Sequence, residues 1–153
     1  SVLQEEKLIN DKSYKKFGDR IDNAKKIVQL FLKKNTKKTV GYGASTKGNI
    51  ILNHCKITSK DLKYICDGSS QKLGRYTPGS NIKIISKEKM RKMKIDYIFV
   101  LIWSFRSEVI KQEKKFIKNG GKLIFPLPIF HIVDRENYIS YLKEDFKTFS
   151  FKL

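Results

Sequence analysis

Residues 39–48 read Thr39-Val40-Gly41-Tyr42-Gly43-Ala44-Ser45-Thr46-Lys47-Gly48, a short β-prone run that passes straight into a glycine-rich turn. Beyond the turn, Ile50, Ile51, Leu52 and Cys55 supply the apolar face of a helix, and residues 62–66 (LKYIC) form a second strand-like run that stops at Asp67. Strand, tight turn, helix and strand in that order make a β-α-β unit. In the dinucleotide fingerprint G-x-G-x-x-G, the first two glycines permit the tight turn and the close approach of a phosphate to backbone N–H groups. Gly41 and Gly43 match it. The third glycine should fall at Thr46 and arrives instead at Gly48, so helix and strand must achieve close packing in another way. The turn is not a P-loop either, because Asn49 and Ile50 stand where that motif has Lys and Ser/Thr.

Two neighbours of the turn point to an anion. Asp67 lies 24 residues after Gly43, at the end of the second strand, where Rossmann-type proteins place an acid that accepts from ribose hydroxyls. Lys47 occupies the first helical turn, where the macrodipole disfavours a cation by about 0.3–1 kcal/mol. A phosphate at the same helix end would compensate, since backbone N–H groups, dipole and ammonium converge on it. The alternative reading is structural: the glycines make a turn, Lys47 is solvated, and Asp67 caps the loop that follows.

Outward from this unit, Tyr14, Phe17, Ile21, Ala24, Val28 and Phe31 recur at three- and four-residue steps and predict a packing helix over about residues 12–34. Towards the C-terminus, residues 68–85 are rich in Gly, Ser and Pro and form a long excursion that ends in a short strand at 82–85. Ser86 is suited to cap a lysine-rich helix. The run YIFVLIW, beginning at Tyr97, is apolar throughout, as a central parallel strand covered on both faces requires. Ser104 or Ser107 can cap the next helix, with Val109, Ile110, Phe116 and Ile117 inward and Asn119, Gly120 and Gly121 as its stop. Residues 122–125 read as a strand ended by Pro126 and Pro128. A last helix follows from Asp134 (Tyr138, Tyr141, Leu142), and the tail TFSFKL has the pattern of an edge strand. The predicted fold is a single α/β domain, Rossmann-like and three-layered, with a mostly parallel sheet of about four to six strands. Residues 1–37 serve as its linking and packing helix and residues 38–153 as its body.

Composition narrows the function. The 153 residues carry 33 Lys+Arg against 15 Asp+Glu, a formal charge of +18, which would fit a nucleic-acid binder. The lysines are scattered along the chain, however, without a basic block or an Arg-and-aromatic motif, so nucleic acid is not the expected partner. No apolar run reaches the roughly 20 residues of a membrane span, and no signal-peptide pattern opens the chain, so a cytoplasmic location is expected. Cys55 and Cys66 have neither CxxC pairing nor zinc-spaced histidines, and read as buried thiols without a metal. His54 and His131 lack the Ser, Cys or Asp spacing of a nucleophilic triad and read as structural. Ser1 in place of methionine and the uncapped opening SVLQEEKLIND are expected of a piece of a longer chain.

The strings GYGASTKGNIILNHC, DGSSQKLGRYTPGSNIKI, DYIFVLIWSF and GGKLIFPLP, in this order and spacing, resemble the C-terminal domain of S-adenosylmethionine-dependent sugar C-methyltransferases, over about residues 14–128. The resemblance implies an upstream zinc-binding segment and methyltransferase domain, S-adenosylmethionine as the cofactor of the full-length enzyme but not of this portion, and a nucleotide-linked deoxysugar as substrate. The upstream domain would carry the catalytic residues, so none is expected here, and the methyltransferase domain would be this chain's partner. Carried over onto this sequence are Gly41, Gly43, Lys47, Gly48 and Asn49 of the turn, Asp67, and the loop with Lys72, Gly74, Pro78 and Gly79, and Ala44 and Ser45 of the turn and Arg75 at its rim complete the candidate phosphate-binding set. Trp103 and Ser104 join them at the end of the central strand. Trp103 reads first as a core residue and, from its place at a strand end, second as a stacking candidate, and Ser104 stands where the family usually has Asn, which bears on sugar specificity. Two readings from other classes remain beside this one: a nucleotide-dependent oxidoreductase and a nucleic-acid-binding module.

Overall fold

The computed structural model describes residues 22–143 together with Asp19. Among the described residues six strands form one sheet: β1 (Thr39–Tyr42), β2 (Tyr64–Cys66), β3 (Lys83–Ile85), β4 (Tyr97–Val100), β5 (Lys122–Phe125) and β6 (His131–Val133). Their order across the sheet is β3-β2-β1-β4-β5-β6, parallel except for β6, which runs antiparallel to β5. This is the doubly wound order, whose direction of growth reverses between β1 and β4.

Strand residues alternate between two hydrophobic layers, as the two-residue period of a pleated strand dictates. In β4, Phe99 enters one layer, which Leu101 continues, and Ile98 and Val100 enter the other. The first layer is closed by α1 (22–35) through Ala24, Val28 and Leu32, and by α2 (Thr46–His54) through Ile51 and Leu52. The second is closed by α3 (Lys87–Arg91), α4 (Arg106–Gln112), α5 (Lys114–Lys118) and α6 (Tyr138–Lys143), through Met90, Val109, Ile110, Ile117 and Tyr138. Sheet and helices thus form the expected three layers.

Several sequence expectations are met. Ser86 Oγ accepts the Lys89 N–H at 3.1 Å and caps α3, and α5 ends at Asn119-Gly120-Gly121, with Gly120 at φ +96°. Others are corrected. The apolar run starting at Tyr97 leaves the sheet after Val100 and folds into a 3₁₀ turn at Trp103–Phe105. Neither Ser104 nor Ser107 caps α4, whose N-cap position is Phe105 and has no side-chain cap. The helix expected to continue unbroken is interrupted at Glu113, and β6 was not anticipated because three residues present too short a pattern. Residues 62 and 63 precede β2 rather than opening it. The N-terminal part of the predicted first helix, including Tyr14, Phe17 and Ile21, and the TFSFKL tail lie outside the described residues.

Glu113, at the break between α4 and α5, is buried among partners. Its carboxylate accepts from Arg91 Nε at 3.0 Å and Nη2 at 2.7 Å, and from the Tyr42 hydroxyl at 3.1 Å. This bidentate pair and phenol tie β1, α3 and the α4–α5 junction together. Burial, assisted by the Glu113 charge, raises the Tyr42 hydroxyl above its ordinary range and pushes the Cys66 thiol up to about 12 from 9.0. A thiol held neutral by the fold contributes stability fully present below the unfolded pKa. That contribution is lost as the pH climbs from 9.0 towards about 12. Cys66→Ala, which has no thiol proton to lose, should therefore decline less steeply than the parent in thermal melts recorded between pH 9 and 11. Parallel declines would remove Cys66 from the account.

Candidate functional site

The reversal of strand order leaves a crevice at the carboxyl ends of β1 and β4, where open α/β sheets bind their ligands. A cleft of about 240 Å³ lies there, lined by Ser45, Thr46, Lys47, Leu101, Ile102, Trp103, Ser104 and Phe105. One wall is the turn into α2 and the other is the exit from β4.

Local chemistry shapes the first wall. Gly43 has φ +94°, a left-handed conformation that carries little cost only for glycine, and an added Cβ would collide with Ile102. Its N–H donates to the Cys66 carbonyl at 2.8 Å. Ser45 caps α2 by accepting the Gly48 N–H at 3.0 Å. The first intrahelical donor is Asn49, whose N–H reaches the Ser45 carbonyl at 2.9 Å. The amides of Thr46 and Lys47 therefore belong to the N-terminal set that an α-helix leaves without internal partners, and both residues are exposed on the cleft. Gly48 supplies the close packing that the displaced third glycine left open. A Cβ there would stand 3.0 Å from both the Gly43 carbonyl and Leu101 Cβ.

Asp67 is fixed by the turn rather than turned outward. One carboxylate oxygen accepts the Ala44 N–H at 2.8 Å and the other the Ser69 N–H at 2.8 Å. Lys72 Nζ donates to the Ala44 carbonyl at 2.9 Å and lies 3.9 Å from the Asp67 carboxylate. The structure thus brings Ala44, Asp67 and Lys72 together around the turn, with Ser45, Lys47, Trp103 and Ser104 on the adjoining cleft. Other candidates lie elsewhere. Gly41 faces Leu62 and Ile65, with room for no side chain. Asn49 has a buried Oδ1 without a hydrogen-bond partner among the described residues. Arg75 is exposed and pairs through its backbone with Ile84, while Pro78 and Gly79 dock on Asn53 of α2, whose Nδ2 donates to the Pro78 carbonyl at 3.2 Å. Phe105 lines the cleft and was missed in the sequence. The signal was present, since it follows Trp103 and Ser104 in the same string, but only the 3₁₀ turn places it on the rim.

Both histidines have structural partners. His54 Nε2 lies 2.7 Å from Asp22 Oδ1. His131 Nδ1–H donates to the Ile129 carbonyl at 2.6 Å, which leaves Nε2 to accept from the Arg106 guanidinium at 3.1 Å. A larger hollow of about 360 Å³, between α3 and α5, contains neither the turn nor any residue of the cleft. No described helix is long and apolar enough to cross a membrane.

A doubly wound sheet with a glycine turn and a helix N-terminus at its switch point defines a Rossmann-like α/β domain. Residues 2–128 match the profile of the C-methyltransferase C-terminal domain, and the chain belongs to that family. A curated relative, C-methyltransferase NovU of Streptomyces niveus, is 36% identical over 101 residues, covering 66% of this chain and 24% of the relative. The matched region thus spans about a quarter of that relative. Among solved structures, UDP-D-quinovosamine 4-dehydrogenase from Vibrio fischeri aligns with 14% identity and a TM-score of 0.42, covering 68% of this chain and 84% of that one.

The clamp on the turn has a measurable consequence. Asp67→Ala leaves the Ala44 and Ser69 amides without their acceptor and removes the carboxylate beside Lys72. We expect a loss of about 1–3 kcal/mol in urea denaturation. An unchanged midpoint would show that the turn holds itself without the carboxylate.

Proposed function

We propose that this domain is the substrate-side part of a S-adenosylmethionine-dependent C-methyltransferase, and that its cleft holds the diphosphate of a nucleotide-linked deoxysugar. The observation that carries this reading is the N-terminus of α2, where the amides of Thr46 and Lys47 and the Lys47 side chain border the switch-point cleft. Donors, dipole and ammonium all favour a negative group at that place. The family membership supports the methyl-transfer context. Asp67 and Lys72 fix the shape of the turn against which the phosphates rest, and Ser104 faces the sugar side.

In this reading the methyl donor and the catalytic groups belong to an upstream methyltransferase domain, this chain's partner, and the present domain alone is catalytically silent. Among the described residues, no group of three or more His, Cys, Asp or Glu is placed to hold a metal. The working location is the cytoplasm, where nucleotide-sugars are made and used.

Lys47→Ala should weaken a nucleoside diphosphate-sugar by roughly 10- to 100-fold, the value of a charge-assisted hydrogen bond, with the fold intact. Between 50 and 200 mM salt the parent should lose only a few-fold in affinity for that ligand, measured by calorimetry. A duplex binder making about 6–10 phosphate contacts would instead lose roughly 10³–10⁵ over this range. Unaltered nucleotide affinity in the variant, or salt-resistant oligonucleotide binding that ignores Lys47, would overturn the proposal.

A further inference from the structure

The cleft has two chemically different walls. On one stand Lys47 and the N-terminal amides of α2. On the other stands Phe105, which is 56% exposed, although it is one of the larger apolar groups of the chain. Trp103, two residues earlier on the same 3₁₀ turn, is half-buried and packs against both hydrophobic layers. The two aromatic residues of this wall therefore differ in availability: the indole helps to build the core, and the phenyl ring stays on the rim.

The backbone that carries the ring is also held in place. The Phe105 N–H donates to the Ile102 carbonyl at 3.0 Å, and Phe105 itself is the N-cap position of α4. Its backbone is set by the turn on one side and the helix on the other, so presenting the ring to a ligand requires little ordering of the chain. A bare phosphate or a sugar phosphate without a base would gain little from such a wall. A nucleotide offers both groups at once, an anionic end for α2 and a flat heteroaromatic ring for an aromatic face.

We infer that Phe105 is the ring platform of this cleft, stacking on the nucleobase of a ligand whose phosphates lie at the N-terminus of α2. The inference rests on the phosphate-binding reading above and adds to it the residue that contacts the base. Phe105 carries no hydrogen-bonding group, so the platform favours a base over no base and discriminates weakly between one base and another.

The test compares two probes, inorganic pyrophosphate and a nucleoside diphosphate, on the parent chain, Phe105→Ala and Phe105→Trp, with Lys47→Ala as reference. Because Phe105 is largely exposed, Phe105→Ala should unfold at nearly the parent temperature. We expect it to weaken the nucleoside diphosphate about 5- to 150-fold, the range of base stacking on an aromatic side chain. Pyrophosphate affinity should not move, and Phe105→Trp should restore the nucleotide. Equal nucleoside diphosphate affinity in parent and Phe105→Ala, with Lys47→Ala still weakened, would overturn the platform and leave the phosphate site standing. Parallel losses of both probes in Phe105→Ala would make Phe105 a general support of the cleft and also overturn it. A parent that binds neither probe would sink the phosphate reading and the platform with it.

Discussion

Everything at the carboxyl edge of the sheet depends on how closely α2 can approach β1 and β4, and Gly48 sets that distance. Its missing side chain lets the first turn of the helix come against the Gly43 carbonyl and Leu101. Any larger residue would push α2 outward, and with it the Ser45 cap and the free amides of Thr46 and Lys47. Gly43 completes the arrangement from the other side by accepting a backbone angle that brings the chain past Ile102. The two glycines therefore serve different ends: one bends the chain, and the other admits a neighbouring element.

A second constraint is electrostatic and works from within. Glu113 is buried at the α4–α5 junction, where it could not remain charged without partners. Arg91 meets it through two hydrogen bonds and Tyr42 adds a third. Because Tyr42 is the last residue of β1 and leads into Gly43, this network anchors the strand end from which the turn departs. Asp67 performs the matching task from β2. The turn is thus held by one carboxylate below the sheet's edge and another beside it, and the cleft is built on a fixed floor.

The charge of +18 is a poor guide to where this protein acts. Among the described residues most lysines are at the surface, where an ammonium group keeps its hydration. Lys47 and Lys72 matter for position rather than number. One projects at a helix N-terminus, against the preference of the dipole, and the other crosses from the following loop to the Ala44 carbonyl. Both are drawn to the same turn although 25 residues separate them in the chain.

The sequence by itself determined the layers and singled out the sheet edge at which the cleft opens. The fully apolar run from Tyr97 required a strand covered on both faces, and the glycine turn after β1 marked the edge at which a ligand would sit. These follow from local periodicity and backbone freedom, which few neighbouring residues suffice to express. Other features were decided only by the tertiary structure. The strand order, with β6 turned antiparallel, depends on pairings that no short segment encodes. The break at Glu113 arises because Arg91 and Tyr42 lie within its reach after folding. Asp67 has the spacing of a ribose-binding acid, yet its oxygens accept the amides of Ala44 and Ser69. Pro78 and Gly79, grouped with the site by sequence, pack instead on Asn53. Trp103 and Phe105 are alike in character and only two residues apart in the chain, and what separated the core residue from the exposed ring was the 3₁₀ turn, whose path is set by burial of Leu101 and Arg106 on either side of it.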